Sequence, residues 1–386
     1  MLIQSRCPSS LVLALASLAV VSGCEKTTSK TETTSATPPA PAPMSAPMAS
    51  PEATAHVVAA APGDWMAKLD GDMRAVIDQL VALNGKPTET LTAEEARKQP
   101  TPADAVAALL KKQGRATAPE EVGKTEERTI PTTAGKLPVR VYSPKGAGPF
   151  PVIVYYHGGG WVIATNDTYD ASARALTNGV QAVLVAVEYR KSPEHKFPAA
   201  HDDALAAYEW VLKNAGSLHG DPKKIALAGE SAGGNLATSV AMAARDKGLQ
   251  LPVHELLVYP IASGDLSSPS EIENAQAKPL NRALMGWFAE KYFRTPADGK
   301  DPRINLVGAN LKGLPPTTII NAEIDPLRSD GENLATRMRD AGVAVEQRTF
   351  TGVTHEFFGM GAAVIKAKEA EELGISRLKA AFTTMR

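Results

Sequence analysis

The 386-residue chain has only two cysteines, Cys7 and Cys24, both in its first 24 residues. Everything after them can form no disulfide and must take its stability from a packed core, for which the length is ample. An excess of charge of one sign is also missing: 41 Lys and Arg face 42 Asp and Glu, a formal net charge of −1. A nucleic-acid footprint needs a concentrated basic face, and the charges here are spread along the chain. Seven histidines are too few and too scattered to mark a metal cluster. The apolar run Leu11–Val21 (LVLALASLAVV) is almost unbroken, but it falls short of the roughly 20 residues that cross a bilayer. There is no internal repeat.

That short run is the first thing present. Preceded by Arg6, it has the length of a signal-peptide core. It ends in Val21-Ser22-Gly23-Cys24, which resembles the lipobox of bacterial lipoproteins, with Val21 where leucine is commoner. The resemblance implies export, cleavage before Cys24 and lipidation of Cys24. Because Glu25 rather than aspartate follows, it implies anchoring at the outer membrane, on the periplasmic or the cell-surface face. Two or three acyl chains hold a protein firmly. An ordinary secretory signal with an incidental cysteine is the alternative. Residues 1–23 are then a signal peptide. Residues 24–62, rich in Ser, Thr, Ala and Pro, bury too little apolar surface to order and form a disordered tether.

Periodicity begins after residue 63. Met73, Val76, Ile77 and Leu80 repeat at helical spacing and stop at Asn84-Gly85. Thr92-x-x-Glu95 is a capping-box signature. Pro102 opens a further helix that carries Val106, Leu109 and Leu110 to Gly114. Residues 63–123 are thus a helical segment that needs a surface to cover. From 124 to 386 strands and helices alternate. Leu137–Tyr142 alternates like a half-buried edge strand. Val152–Tyr156, Ala182–Val187, Ile225–Ala228, Leu256–Tyr259 and Thr318–Asn321 are short apolar runs that suit strands covered on both faces. The fold class is α/β, an open and mainly parallel sheet with right-handed crossovers. Residues 263–300 break the rhythm and read as an insertion.

The stretch KIALAGESAGGNLA, residues 224–237, carries the chemistry. Ser231 sits between Gly229 and Gly233 on a strand-to-helix bend, the G-x-S-x-G arrangement that projects a serine Oγ. The pentapeptide alone is weak, and its context decides. His157-Gly158-Gly159-Gly160-Trp161 follows an apolar strand, where three glycines let backbone N–H groups approach a substrate oxygen. Asp325 lies just past another strand, with Pro326 ending the ladder, and His355 falls in a loop after the last strand-like run. The order Ser231, Asp325, His355 is that of a serine–acid–histidine triad on an α/β sheet. His355 would take the proton of Ser231, and Asp325 would fix the imidazole tautomer. His157 reads as shaping its loop. His56, His195, His219 and His254 read as structural or solvated. HEFFG has glycine where a zincin needs its second histidine, so metal catalysis is rejected. Ser231 is followed by Ala-Gly-Gly, so there is no S-x-x-K mechanism.

HGGGW, YRKSPEHKFPAAHDD, GESAGG, DPLRSDG and THEFFG together resemble the bacterial hormone-sensitive-lipase family of esterases, from about Trp65 to the C-terminus. The resemblance implies an α/β-hydrolase fold with a helical cap built from residues 63–123 and the insertion near 263–300. It implies oxyanion donors at the N–H groups of Gly158, Gly159 and Ala232. It assigns Tyr189, Arg190, Pro193, Glu194, Phe197 and Pro198 to bracing the site. The activity it implies is carboxylesterase, with short acyl chains favoured and no metal or organic cofactor. Trp161, beside the glycine loop, reads either as limiting a deep acyl pocket or as core packing. Three departures stand out: Glu230 where aspartate is commoner, Glu356 where glycine usually follows the histidine, and Ser329-Asp330 for Asp-Glu. The expected partners are a small-molecule ester and, through Cys24, a membrane; nucleic acid is not one, and a homodimer is left open. Rival readings are an amidase or arylformamidase, a polysaccharide deacetylase on the same triad, and a surface lipoprotein that binds without catalysis.

Overall fold

Strands made of valine, leucine, isoleucine and alanine have no polar face to turn to water, so helices must cover both of their sides. In the computed structural model, which describes residues 64–384, such strands form the middle of an eight-stranded sheet. In chain order they are β1 (Lys124–Thr132), β2 (Gly135–Ser143), β3 (Phe150–Tyr156), β4 (Val183–Val187), β5 (Gly220–Glu230), β6 (Glu255–Val258), β7 (Thr317–Ile324) and β8 (Val345–Thr354). Their order in the sheet is β1-β2-β4-β3-β5-β6-β7-β8. Pairing is parallel from β4 through β8, and β2 runs antiparallel to both its neighbours. The expected signal peptide, tether and lipidated Cys24 lie outside the described residues.

The sheet separates two cores, and the two-residue period of β3 shows how. Val152, Val154 and Tyr156 face one core; Ile153 and Tyr155 face the other. Ten α-helices are described: α1 (Gly71–Ala82), α2 (Ala93–Ala96), α3 (Pro102–Lys112), α4 (Asp170–Val180), α5 (Ala199–Asn214), α6 (Ala232–Asp246), α7 (Pro269–Glu273), α8 (Arg282–Tyr292), α9 (Arg328–Asp340) and α10 (Ile365–Thr384). Helix α1 buries Met73, Val76 and Ile77, and α3 buries Val106, Leu109 and Leu110. Both stripes join the core that holds Tyr142, Ile153 and Phe350. The capping box at Thr92 and Glu95 forms, and a second one forms at Thr101 and Asp104. Each spares the first turn unpaired N–H groups, worth about 1 kcal/mol.

The edges of the sheet differ from the sequence-based reading. The Leu137–Tyr142 strand is not an edge: β2 pairs with β1 on one side and β4 on the other. The edge is β1, whose KTEERTIPT is polar, contains Pro131 and buries Ile130 alone. An edge strand is covered on fewer sides, so its apolar alternation fades below recognition. The same holds for β8 at the far edge, where VEQRTFTGVT is buried only toward its end.

The insertion between β6 and β7 carries α7 and α8, and it meets the N-terminal segment directly. Trp287 Nε1 donates to Leu91 O (3.0 Å), and Asn281 Nδ2 donates to Glu89 (3.3 Å). The two pieces therefore form one roof over the C-terminal ends of the parallel strands, where open α/β sheets place their ligands.

Strand β6 begins on a buried acid. Glu255 accepts a hydrogen bond from Thr238 Oγ1 (2.9 Å) through Oε2, while Oε1 has no partner among the described residues. Burial pushes its carboxyl up to about 7. The folded state then holds a proton that the unfolded chain releases from about pH 4.3, so this contribution to stability is complete at acid pH and falls as pH rises to 7. Glu255→Gln, which mimics the protonated acid, should be more stable than wild type at pH 8. The gain should shrink toward pH 5, as urea titrations at the two pH values would show.

Candidate active site

The bend between β5 and α6 is built on two glycines that no other residue type could replace without displacing backbone. A Cβ on Gly229 would stand 2.2 Å from Gly233 O, and one on Gly233 would stand 1.9 Å from Tyr156 O. The end of β3, the end of β5 and the first turn of α6 touch through backbone alone. Ser231, between the glycines, is forced to φ 56°, ψ −118°, a conformation that costs an L-residue on the order of 1–3 kcal/mol. Hydrogen bonds hold it there: Ser231 N donates to Val258 O (2.9 Å), and Ser231 O accepts from Asn235 N and Ile261 N (both 3.2 Å). Ser231 also caps α6, so Ala232 presents its N–H at the positive end of a 15-residue helix.

The glycine loop after β3 is packed as tightly. A Cβ on Gly158 would lie 2.2 Å from Tyr169 Oη, on Gly159 2.3 Å from Ile163 O, and on Gly160 2.3 Å from the Phe288 ring. Gly159 and Gly160 have φ of +93° and +57°. Two carbonyls of the loop are taken up internally: Gly159 O accepts from Val162 N and Ile163 N, and Gly158 O accepts from His157 Nδ1–H (2.8 Å). His157 stacks on Tyr189 at 4.4 Å, and Tyr189 Oη reaches His157 O (2.9 Å) and Gly158 O (3.1 Å). Burial pushes His157 down to about 4, so its ring is a neutral brace. The N–H groups of Gly158, Gly159 and Ala232 donate to nothing among the described residues. Backbone donors left free in this way are available to a developing oxyanion.

The acid and the histidine arrive from the ends of β7 and β8. Asp325 is fully buried; its Oδ2 lies 2.7 Å from His355 Nδ1, and its Oδ1 accepts from Leu327 N (2.9 Å). Burial alone would push the His355 imidazole down. The charge and hydrogen bond of Asp325, with Glu356 and Glu230 behind them, hold it above its ordinary value. Helix α7 clamps this loop, with Asn274 Nδ2 donating to Asp325 O (3.1 Å) and Ser270 Oγ donating to Pro326 O (2.5 Å). Burial restrains the ionisation of two other acids nearby. Burial, with the charges of Asp330 and Asp325, raises Glu271 to about 8; burial raises Asp330 to about 7.

Ser231, His355, Gly159 and Gly160 open together on a cleft of about 610 Å³. Its outer walls are Leu80, Val81 and Arg97 of the N-terminal segment and Leu284, Met285 and Phe288 of the insertion. Arg97 ties these parts down, donating to Val162 O (2.8 Å) and Ser192 O (2.7 Å) while pairing with Glu194.

The fold thus gathers residues read separately from the sequence, with one correction. Trp161 does not line the cleft. It has φ +61°, is buried, and stacks on Tyr292 at 4.4 Å in the core. The two positive-φ glycines before it reverse the chain and turn the indole inward. Phe288 and Tyr169 are the aromatic walls instead. Sequence reasoning also missed Tyr155, Tyr169 and Tyr259. Tyr155 and Tyr259 donate to the two oxygens of buried Glu230 (2.6 and 2.5 Å), whose carboxyl is pushed by burial up to about 7. The Tyr259 ring also lies 4.4 Å from His355. Nothing in their spacing distinguishes these tyrosines from ordinary core residues; the signal available was the unusual Glu230 itself.

Known proteins resemble this chain in sequence and fold. A family model described as the alpha/beta hydrolase fold matches residues 153–359. The chain is 42% identical over 265 residues to carboxylesterase NlhH of Mycobacterium tuberculosis, across 67% of this chain and 83% of that one. It is 33% identical over 299 residues to an ethyl acetate hydrolase of Pseudomonas putida, across 76% and 92%. A solved structure of a hyperthermophilic esterase from Pyrobaculum calidifontis superposes with a TM-score of 0.75 at 35% identity, over 81% of this chain and 98% of that one. The chain belongs to the hormone-sensitive-lipase-like esterases of the α/β-hydrolase fold and is a carboxylic ester hydrolase.

Proposed function

We propose that the chain hydrolyses short-chain acyl esters through an acyl-enzyme on Ser231. The observation that carries this reading is the strained Ser231 at the head of α6, which shares one cleft with His355, itself bonded to buried Asp325. His355 Nε2 takes the Ser231 proton as Oγ attacks the ester carbonyl. The oxyanion collects hydrogen bonds from Gly158, Gly159 and Ala232. His355 then gives the proton to the leaving alcohol, and a water activated the same way releases the acid. Each oxyanion donor is worth about 3 kcal/mol in such sites. The short-chain preference is supported by the likeness to an ethyl acetate hydrolase and by the Phe288 ring packed against the glycine loop. We also propose export as a lipoprotein anchored through Cys24 at the outer membrane, supported by Val21–Cys24 and the Ser/Thr/Ala/Pro-rich stretch that follows.

Ser231→Ala should lower kcat by at least about 10⁴-fold without changing the unfolding curve. Release of a chromogenic alcohol from acyl esters of two to twelve carbons should peak on the shortest chains; a peak on long chains, or activity that survives the substitution, overturns the reading. The pH profile gives a second check. His355 must be neutral to accept the proton, and its neighbours hold it above the ordinary imidazole value of about 6.5. The acid limb of kcat/KM should therefore lie above that value. Glu356→Gln removes one of the negative charges that stabilise the imidazolium, so it should move that limb to lower pH.

A further inference from the structure

Glu356 occupies the position after the histidine and is not one of the three triad residues. It is held at φ +69°, the left-handed region that favours glycine, and its carboxylate is nonetheless fixed in place. Oε1 accepts a hydrogen bond from Tyr169 Oη (2.6 Å), and the same hydroxyl packs against Gly158 of the glycine loop. Oε1 also lies 3.9 Å from His355 Nε2. Since Nδ1 is taken by Asp325, Nε2 is the nitrogen that faces the cleft, and Glu356 and Tyr169 line that cleft with it. The second carboxylate oxygen, Oε2, has no hydrogen-bond partner among the described residues, and no lysine or arginine pairs with Glu356.

The geometry limits what can sit beside this oxygen. The alcohol oxygen that receives the proton must come within about 3 Å of His355 Nε2. The first carbons attached to it then lie next to a carboxylate 3.9 Å from that nitrogen. A plain alkyl alcohol would strip water from Oε2 and give nothing back. An alcohol with an ammonium or hydroxyl group on its second carbon can donate to it, and an anionic one is repelled.

Resting on the ester-hydrolase reading above, we propose that Glu356 is a specificity-determining residue that selects esters whose leaving alcohol carries a hydrogen-bond donor, N–H or O–H, close to the ester oxygen. Tyr169 is the positioning residue that aims it.

The test compares kcat/KM at pH 7 for three acetates of similar size: 2-(dimethylamino)ethyl acetate as its ammonium form, 2-hydroxyethyl acetate, and propyl acetate. Each value is divided by the alkaline hydrolysis rate of that ester, which removes differences in intrinsic reactivity. In wild type both donor-bearing esters should exceed propyl acetate. Glu356→Gly should lower both ratios, by about tenfold for the ammonium ester. Glu356→Gln keeps a neutral acceptor, so it should lower the ammonium ratio and largely spare the hydroxyl ratio. This separates selection by charge from selection by hydrogen bonding. Ratios within twofold of wild type in both variants overturn the proposal. If the Glu356 variants do not fold, Tyr169→Phe frees the carboxylate from its anchor: a lowered ratio supports the selector and an unchanged one overturns it. Propyl acetate favoured by wild type overturns the selector alone. Failure of wild type on all three esters overturns the ester-hydrolase reading of the site and the selector with it.

Discussion

The site depends on a contact between main chains. The first turn of α6 lies so close to the end of β3 that a single methyl group on Gly233 would reach within 1.9 Å of Tyr156 O. That approach places Ser231 beside the glycine loop, because β3 leads into Gly158–Gly160 and β5 leads into Ser231, and the two strands are neighbours in the sheet. The glycine-loop backbone and the serine therefore keep their relative positions by backbone packing, which has almost no freedom to relax. Ser231 carries strained dihedrals as a consequence, and the hydrogen bonds from β6 and α6 keep it there.

Electrostatics are arranged around one charge pair. Five acidic side chains lie near the histidine or its acid: Asp325, Glu356, Glu230, Glu271 and Asp330. If all were ionised, their mutual repulsion in a buried setting would oppose folding. Burial raises Glu230, Glu271 and Asp330 to about 7 or 8, and Glu230 is further held by two phenols. Asp325 is left as the partner that bonds His355 directly. A catalytic histidine needs a nearby anion, and the fold supplies Asp325 in direct contact while burial restrains the ionisation of Glu230, Glu271 and Asp330.

The roof over the cleft is made from two distant parts of the chain, joined by Trp287 to Leu91 and by Asn281 to Glu89. Arg97 fastens one of them to the loops beyond the glycine turn. Neither part builds a sheet of its own: α1 and α3 bury their stripes in the core with Ile153 and Phe350, and α8 buries Leu284, Trp287 and Phe288 in the core on the other face of the sheet. Substrate entry is thus shaped by residues that take no part in bond making.

The sequence alone sufficed where the determinant is local. Gly229, Ser231 and Gly233 were legible because a tight strand-to-helix bend demands glycine at those spacings, and the central strands were legible because burial on both faces leaves only apolar residues. The histidine and the acid followed from their order along the chain. Edges β1 and β8 were blurred because half-exposed strands tolerate polar residues throughout. Tertiary structure decided the rest. Positive φ at Gly159 and Gly160 sent Trp161 into the core, a turn no side-chain pattern records. Tyr169 meets Glu356 across 187 residues of chain, and Tyr259 meets Glu230 through a sheet that only folding assembles. Local backbone demands are written in residue types. Which side chain faces which across the cleft depends on strand order and loop direction, and those exist only once the whole sheet has formed.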